Sequence, residues 1–110
     1  MARLIVDAIV EDYTAAPGNN LPLSLGVSVT DVNGVPVGGL AAANFSIGNL
    51  LVAPGGPNAA ITALVAGPMV GTYILRLTPA AAWVLGEYAY SVRVVAGANQ
   101  GTKLAGLLVN

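Results

Sequence analysis

Cysteine and histidine are both absent from the 110 residues of this sequence. Without cysteine there can be no disulfide, no thiolate metal ligand and no thiol redox chemistry. Without histidine the chain lacks the side chain that most often acts as a general base near neutral pH and that most often binds metals. We therefore expect no catalytic residues, no cofactor and no metal site, and we interpret the chain as not being an enzyme.

Charge is also scarce, since charged residues make up 8% of the chain and the formal net charge is −1, whereas ordinary soluble domains carry about 25% charged residues. The four cations are scattered along the sequence: Arg3, Arg76, Arg93 and Lys103. Proteins that bind nucleic acid need clustered lysine and arginine to replace phosphate counterions. The sequence therefore predicts no nucleic-acid partner.

Long uninterrupted apolar runs are missing, although the mean hydropathy is +0.75. The longest uncharged stretch, residues 32–75, is broken repeatedly by glycine and proline, and a membrane-spanning helix needs about 20 apolar residues that can stay helical. We expect no membrane insertion. Asp7, Glu11 and Asp12 interrupt or follow the short apolar stretch near Met1, which is not the pattern of a signal peptide. We therefore expect synthesis in the cytoplasm without a signal peptide, followed by incorporation into a virion or another extracellular particle.

Apolar residues recur with a period of two over most of the chain, which predicts half-buried antiparallel strands. We expect eleven of these side chains inside: Leu23, Leu25, Val27, Val29, Tyr73, Leu75, Leu77, Tyr88, Tyr90, Val92 and Val94. Leu21 shares their phase. Turn signals recur roughly every 8–12 residues, and this spacing favours a sandwich or barrel of about seven to nine short strands.

Breaks between the apolar segments predict where the chain turns. Asn33-Gly34 predicts a hairpin, residues 54–58 a loop, and residues 97–101 a turn before a last strand over residues 102–109. Residues 80–84 are expected to form a single helical turn. No linker divides the chain, so we predict one all-β domain over residues 1–110, an antiparallel two-sheet sandwich.

Two segments resemble bacterial immunoglobulin-like modules. Residues 29–37 read VTDVNGVPV and lead to Asn44-Phe45-Ser46-Ile47, similar to the D-x-N-G-x-P-V hairpin of those modules. Residues 71–79 and 86–92, GTYILRLTP and GEYAYSV, resemble the later strands of those modules and of filamin-type repeats. The resemblance implies an immunoglobulin-like sandwich. Similar modules occur in adhesins, surface appendages, polysaccharide-processing enzymes and bacteriophage structural proteins, and the resemblance implies no catalytic residues.

The carboxylates leave one alternative open. Glu11, Asp12 and Asp31, with Asn33, are oxygen donors of the kind that bind calcium, but such a site needs about six or seven oxygens that meet in space. We favour solubilising charges at strand ends, with Asp31 and Asn33 making hydrogen bonds within a turn.

The aromatic residues also allow two interpretations. Tyr73, Tyr88 and Tyr90 share the phase of core residues, and the hydroxyl of Tyr88 is placed to bond back to the preceding corner of the chain. We expect them to be core. Trp83 is the aromatic side chain most expected to be exposed, where it would serve a ligand such as a carbohydrate.

The first and last predicted strands carry more apolar side chains than one core can use. Ile5 and Ile9 lie on the face of the first strand opposite Leu4, Val6, Ala8 and Val10, and Leu104 and Leu108 lie opposite Leu107 and Val109. Monomers usually avoid large exposed apolar patches and near-zero net charge. We therefore predict that Ile5, Ile9, Leu104 and Leu108 belong to an interface.

These observations favour a non-catalytic structural module. Its partners would be copies of itself or other structural subunits of a phage virion, tail, fibre, filament or appendage. The alternative is a carbohydrate- or receptor-binding module of a larger surface protein, which would use loops around residues 18–20, 54–58 and 97–100. Those loops lack aromatic and arginine anchors, so carbohydrate binding is unsupported.

Overall fold

A computed structural model describes the backbone of residues 3–12 and 14–110, and the side chains of residues 3–11 and 14–110. Its seven strands are β1 (Leu4–Asp12), β2 (Leu23–Asp31), β3 (Phe45–Leu51), β4 (Ala59–Ala66), β5 (Thr72–Pro79), β6 (Gly86–Ala96) and β7 (Asn99–Val109). A 3₁₀ turn, Ala42–Asn44, precedes β3.

The strands form two antiparallel sheets, of order β1-β2-β5-β4 and β3-β6-β7. This confirms the predicted two-sheet sandwich. The order is that of the seven-stranded, constant-type immunoglobulin sandwich, in which sheet ABED packs on sheet CFG.

Alternation along the strands places the core between the sheets. In the four-stranded sheet, Leu25 lies opposite Leu75 and Val27 opposite Tyr73, and all four side chains point inward. All eleven side chains predicted to be core are buried and belong to one apolar cluster. Leu21, by contrast, is exposed because it lies two residues before β2 begins.

The predicted turn at Asn33-Gly34 is confirmed and is fixed by Asp31. One Asp31 carboxylate oxygen accepts the backbone N–H of Asn33 at 2.8 Å and that of Val35 at 3.0 Å. Gly34 has a φ of 82°, a conformation that side chains with a Cβ rarely adopt. The Asp31 carboxylate therefore already accepts hydrogen bonds within the turn.

Two expectations about connections were wrong. Residues 80–84 are irregular, with a bend at residues 80 and 81, rather than helical: the backbone N–H of Trp83 donates to Asn19 O at 2.7 Å and its carbonyl accepts from Gly18 N at 2.9 Å. The turn predicted over residues 97–101 is shorter, since β6 and β7 pair from Ala96 and Asn99 onward.

The edges β1 and β7 lie side by side and close one side of the sandwich. Arg3 and Gln100 form a parallel bridge between them. At Gly101 an added Cβ would collide with the carbonyl oxygen of Leu4, so the close approach of the β1 backbone requires glycine there. The two terminal strands therefore meet at a seam.

Candidate functional site

The four side chains predicted to form an interface are all exposed. Ile5 is 48% and Ile9 59% exposed on β1, and Leu104 is 60% and Leu108 55% exposed on β7. Their neighbours in sequence, such as Val6 and Leu107, point into the core. The alternation is therefore as predicted, and each terminal strand carries large apolar side chains on both faces.

The structure divides these four residues between two surfaces. Ile5 and Ile9 lie on the outer face of the four-stranded sheet, whereas Leu104 and Leu108 lie on the outer face of the three-stranded sheet. The seam between β1 and β7 joins the two surfaces along one side. The chain thus presents two apolar faces rather than one patch.

A row of apolar and small residues crosses the outer face of the four-stranded sheet. Ile9 lies opposite Gly26, Gly26 opposite Ile74, and Ile74 opposite Val65. The carboxylate of Glu11 lies directly over Gly26, where an added Cβ would collide with it. A shallow groove of about 210 Å³ contains this site and is also lined by Asp7, Ser28 and Thr72.

The outer face of the three-stranded sheet is bounded by leucines. Leu51 on β3 and Leu108 on β7 flank a groove of about 500 Å³, and Ala89 and Gly106 contribute to its lining. Leu50 is 59% exposed beside Leu51. Sequence reasoning missed Leu50 and Leu51 as surface residues because the register of β3 shifts between Asn49 and Leu51, and a bulge interrupts the period of two on which that reasoning depends.

Glu87 and Arg93 are exposed on β6, on this same outer face. Arg93 donates a hydrogen bond to the side-chain oxygen of Gln100 on β7. Between the two charges lie Ala89 and Ser91, both half-buried. The face therefore carries a negative charge at one end, a positive charge at the other and small side chains in the middle.

The carboxylates considered for calcium are not brought together. Asp31 lies opposite Leu4, at the end of the β1–β2 pair, whereas Val10, next to Glu11, lies opposite Leu25 at the other end. The side chain of Asp12 falls outside the described side chains. Among the side chains that are described, no three acidic residues are grouped so that they could hold a metal ion.

Lys103 is exposed and lies opposite the core residue Val92, on the core-facing side of the edge strand β7. A charge at such a position disfavours pairing with a further strand.

Trp83 is not exposed. Its side chain is 1% accessible, its ring packs edge to face on Tyr88 with centroids 5.2 Å apart, and its indole N–H donates to Leu21 O at 2.9 Å. The sequence gives no local sign of this contact, because Leu21 and Trp83 are 62 residues apart. Through this hydrogen bond Trp83 connects the segment before β2 to the segment before β6.

The three tyrosines expected in the core are buried, and their hydroxyls differ in their partners. Tyr73 Oη donates to Val37 O at 2.6 Å and accepts the N–H of Leu40 at 3.2 Å. Tyr88 Oη donates to Val84 O at 2.8 Å and accepts the N–H of Val84 at 3.1 Å, which is the predicted tyrosine corner.

The Tyr90 hydroxyl has no hydrogen-bond partner within the described part of the chain. Burial, followed by the neighbouring Tyr88, raises the pKa of Tyr90. The hydroxyl is therefore held in its neutral form inside the core.

The loop around residues 18–20 uses its polar groups internally. The Asn19 side chain donates to Thr14 O at 2.9 Å and accepts from the N–H groups of Ala16 and Leu21 at 3.4 and 3.3 Å. These contacts fix the loop and leave its amide engaged within the chain. The loop thus resembles a structural connection more than a ligand-binding one.

Comparisons with known proteins add no function. No protein-family model matches the chain, and no curated protein matches it. Within the described residues, no helix combines the length and the hydropathy that crossing a membrane would require.

Proposed function

We propose that this chain is a non-catalytic structural module that joins copies of itself or other subunits of a larger particle, such as a virion, tail, fibre or filament. The supporting observation is the apolar character of both outer sheet faces. Fourteen large apolar side chains of the described residues are exposed, more than the nine charged residues in the whole sequence, and eight of the fourteen lie on strands. Burying apolar surface is the main driving force of protein association.

The arrangement of these side chains supports assembly more than their number does. On the four-stranded sheet, Ile9, Ile74 and Val65 belong to one row across β1, β2, β5 and β4. The Glu11 carboxylate lies over Gly26 within this row, and the apolar side chains on either side of it are suited to packing against another sheet, as in the interior of a sandwich. Isolated apolar side chains would need no such explanation.

The alternative, a carbohydrate- or receptor-binding module, depends on exposed aromatic anchors. Every described aromatic side chain is buried: Phe45, Tyr73, Trp83, Tyr88 and Tyr90. No stacking platform is therefore offered by these residues, and we place this alternative second.

Light scattering across a concentration series tests the proposal. The wild type is expected to exceed the mass of one chain at high micromolar concentration. Ile9→Asp is expected to lower the average mass, because it adds a third acidic group beside Asp7 and Glu11 on an apolar surface, where burying an unpaired charge is costly. Val32→Asp, at a position 62% exposed in the turn after β2, is the matched control and should assemble as the wild type does.

A wild type that stays monomeric at high micromolar concentration would contradict self-association and move the ligand-binding alternative to first place. Normal assembly of Ile9→Asp would place the contact on another surface.

A further inference from the structure

The central strand of the three-stranded sheet carries opposite charges at equal distances from its middle. On the outer face of β6, Glu87 and Arg93 each lie three residues, about 10 Å, from Tyr90. A twofold axis level with Tyr90, perpendicular to the strands and lying between two facing sheets, would bring Glu87 of one copy opposite Arg93 of the other. Both charge pairs form at once, because the rotation exchanges the two ends of the strand.

We infer that the outer face of the three-stranded sheet binds a second copy of this chain face to face, with the two β6 strands antiparallel. This inference rests on the proposed function and names its partner and surface. Glu87 forms no ion pair with any described residue of its own chain. The second copy supplies one, and complementary charges of this kind set the orientation of an interface.

The flanking strands fit the same axis without adjustment. On β7, Leu104 lies beside Ser91 and Gly106 beside Ala89. The twofold rotation places Ala89 of one copy opposite Ser91 of the other. Leu104 of each copy therefore faces Gly106 of the other.

The same relation holds on β3, where Leu51 lies beside Ala89 and Gly48 beside Ser91. Leu51 of each copy therefore faces Gly48 of the other. The charges determine the axis, and Leu104 then meets the uncovered Gly106 of the other copy, whereas Gly48 is partly covered by the Ser91 side chain of its own chain.

Gly106 gives a separate indication. An added Cβ there would meet nothing closer than Tyr88 O at 4.0 Å, and Gly106 is not among the glycines with positive φ. The fold of one chain therefore does not require glycine at this position in the middle of β7. Glycine inside a strand often marks a site where another group approaches closely. Here that group is Leu104 of the second copy, which enters the groove between Leu51 and Leu108.

Gly106→Val tests the surface, made in the Ile9→Asp background so that contacts through the other sheet are weakened. Ile9→Asp alone is expected to remain dimeric by analytical ultracentrifugation, and the double variant is expected to be a monomer at the same concentration. Ala60→Val, which adds the same side chain at an exposed position of β4, is the matched control and should stay dimeric. Circular dichroism of each variant in dilute solution checks that the fold is intact.

Charge exchange tests the antiparallel register. Glu87→Arg alone and Arg93→Glu alone each place two pairs of like charges across the axis, so each is expected to dimerise about tenfold more weakly or worse. An equimolar mixture of the two single variants restores both opposite-charge pairs and should form a heterodimer as tightly as the parent forms its homodimer.

The outcomes separate the two levels of the proposal. If the wild type associates but Ile9→Asp is already monomeric, or if Gly106→Val and the single charge variants dimerise as their parent does, this surface is wrong while self-association stands. A wild type that is monomeric throughout overturns both.

Discussion

At the scale of single residues, Tyr88 and Tyr90 form a natural comparison. They lie two positions apart on β6, both are buried, and both face the core. The hydroxyl of Tyr88 makes two hydrogen bonds to the backbone of Val84, whereas that of Tyr90 makes none within the described chain. The same chemical change at the two sites should therefore have opposite consequences.

We expect Tyr90→Phe to leave the free energy of unfolding unchanged or to raise it by up to about 1 kcal/mol, because it removes a buried polar group without a partner. Tyr88→Phe should lower it by about 1–3 kcal/mol, because it removes the partner of two backbone groups. Urea unfolding of the two variants beside the wild type measures the difference. A clear loss of stability in Tyr90→Phe would show that its hydroxyl has a partner.

The raised pKa of Tyr90 also predicts how the free energy of unfolding depends on pH. In the unfolded chain its phenol ionises near pH 10, whereas in the folded chain burial raises its pKa. Above about pH 10 the unfolded state therefore releases a proton that the folded state retains, and the stabilising contribution present below that pH is lost as the pH rises. Unfolding free energies measured from pH 8 to pH 11.5 should fall more steeply for the wild type than for Tyr90→Phe. Parallel curves would contradict this.

At the scale of strands, the period of two predicted the structure well wherever both faces of a strand were regular. The inward residues of β2, β5 and β6 and the outward positions of Ile5, Ile9, Leu104 and Leu108 followed from it. It failed where a distant segment decided the conformation. Residues 80–84 are irregular rather than helical because Asn19 and Gly18 bind the backbone of Trp83. Leu50 and Leu51 are both exposed because a bulge displaces the register. Neither the hydrogen bonds of Trp83 nor the bulge in β3 leaves a local pattern in the sequence.

The strand β5 provides a test of which face carries the stability. Leu75→Ala should lower the free energy of unfolding by about 2–5 kcal/mol, because it removes a fully buried side chain and leaves a cavity between the sheets. Ile74→Ala, on the adjacent and half-buried outer position, should cost less. Urea unfolding below the concentration at which copies associate measures both. Equal losses would contradict the assignment of faces.

At the scale of the whole molecule, the carboxylates are dispersed rather than concentrated. Asp31 is bound by its own turn, Glu11 lies over Gly26, and Glu87 is on the opposite sheet. We therefore expect excess EDTA to leave the melting temperature unchanged. A fall of several degrees that added calcium reverses would contradict this and would direct attention to Glu11, Asp12 and Asp31.

The seam between β1 and β7 has a consequence for the rate at which the molecule forms. Its bridge joins Arg3 to Gln100, so almost the entire described sequence must be synthesised and brought together before that contact can form. Contacts between residues so distant in sequence slow folding, and sandwiches of this kind fold in milliseconds to seconds. During synthesis β1 must wait, with Leu4 and Val6 not yet covered by β7, until β7 has left the ribosome. The interval before closure is when unintended pairing between nascent chains is most favoured.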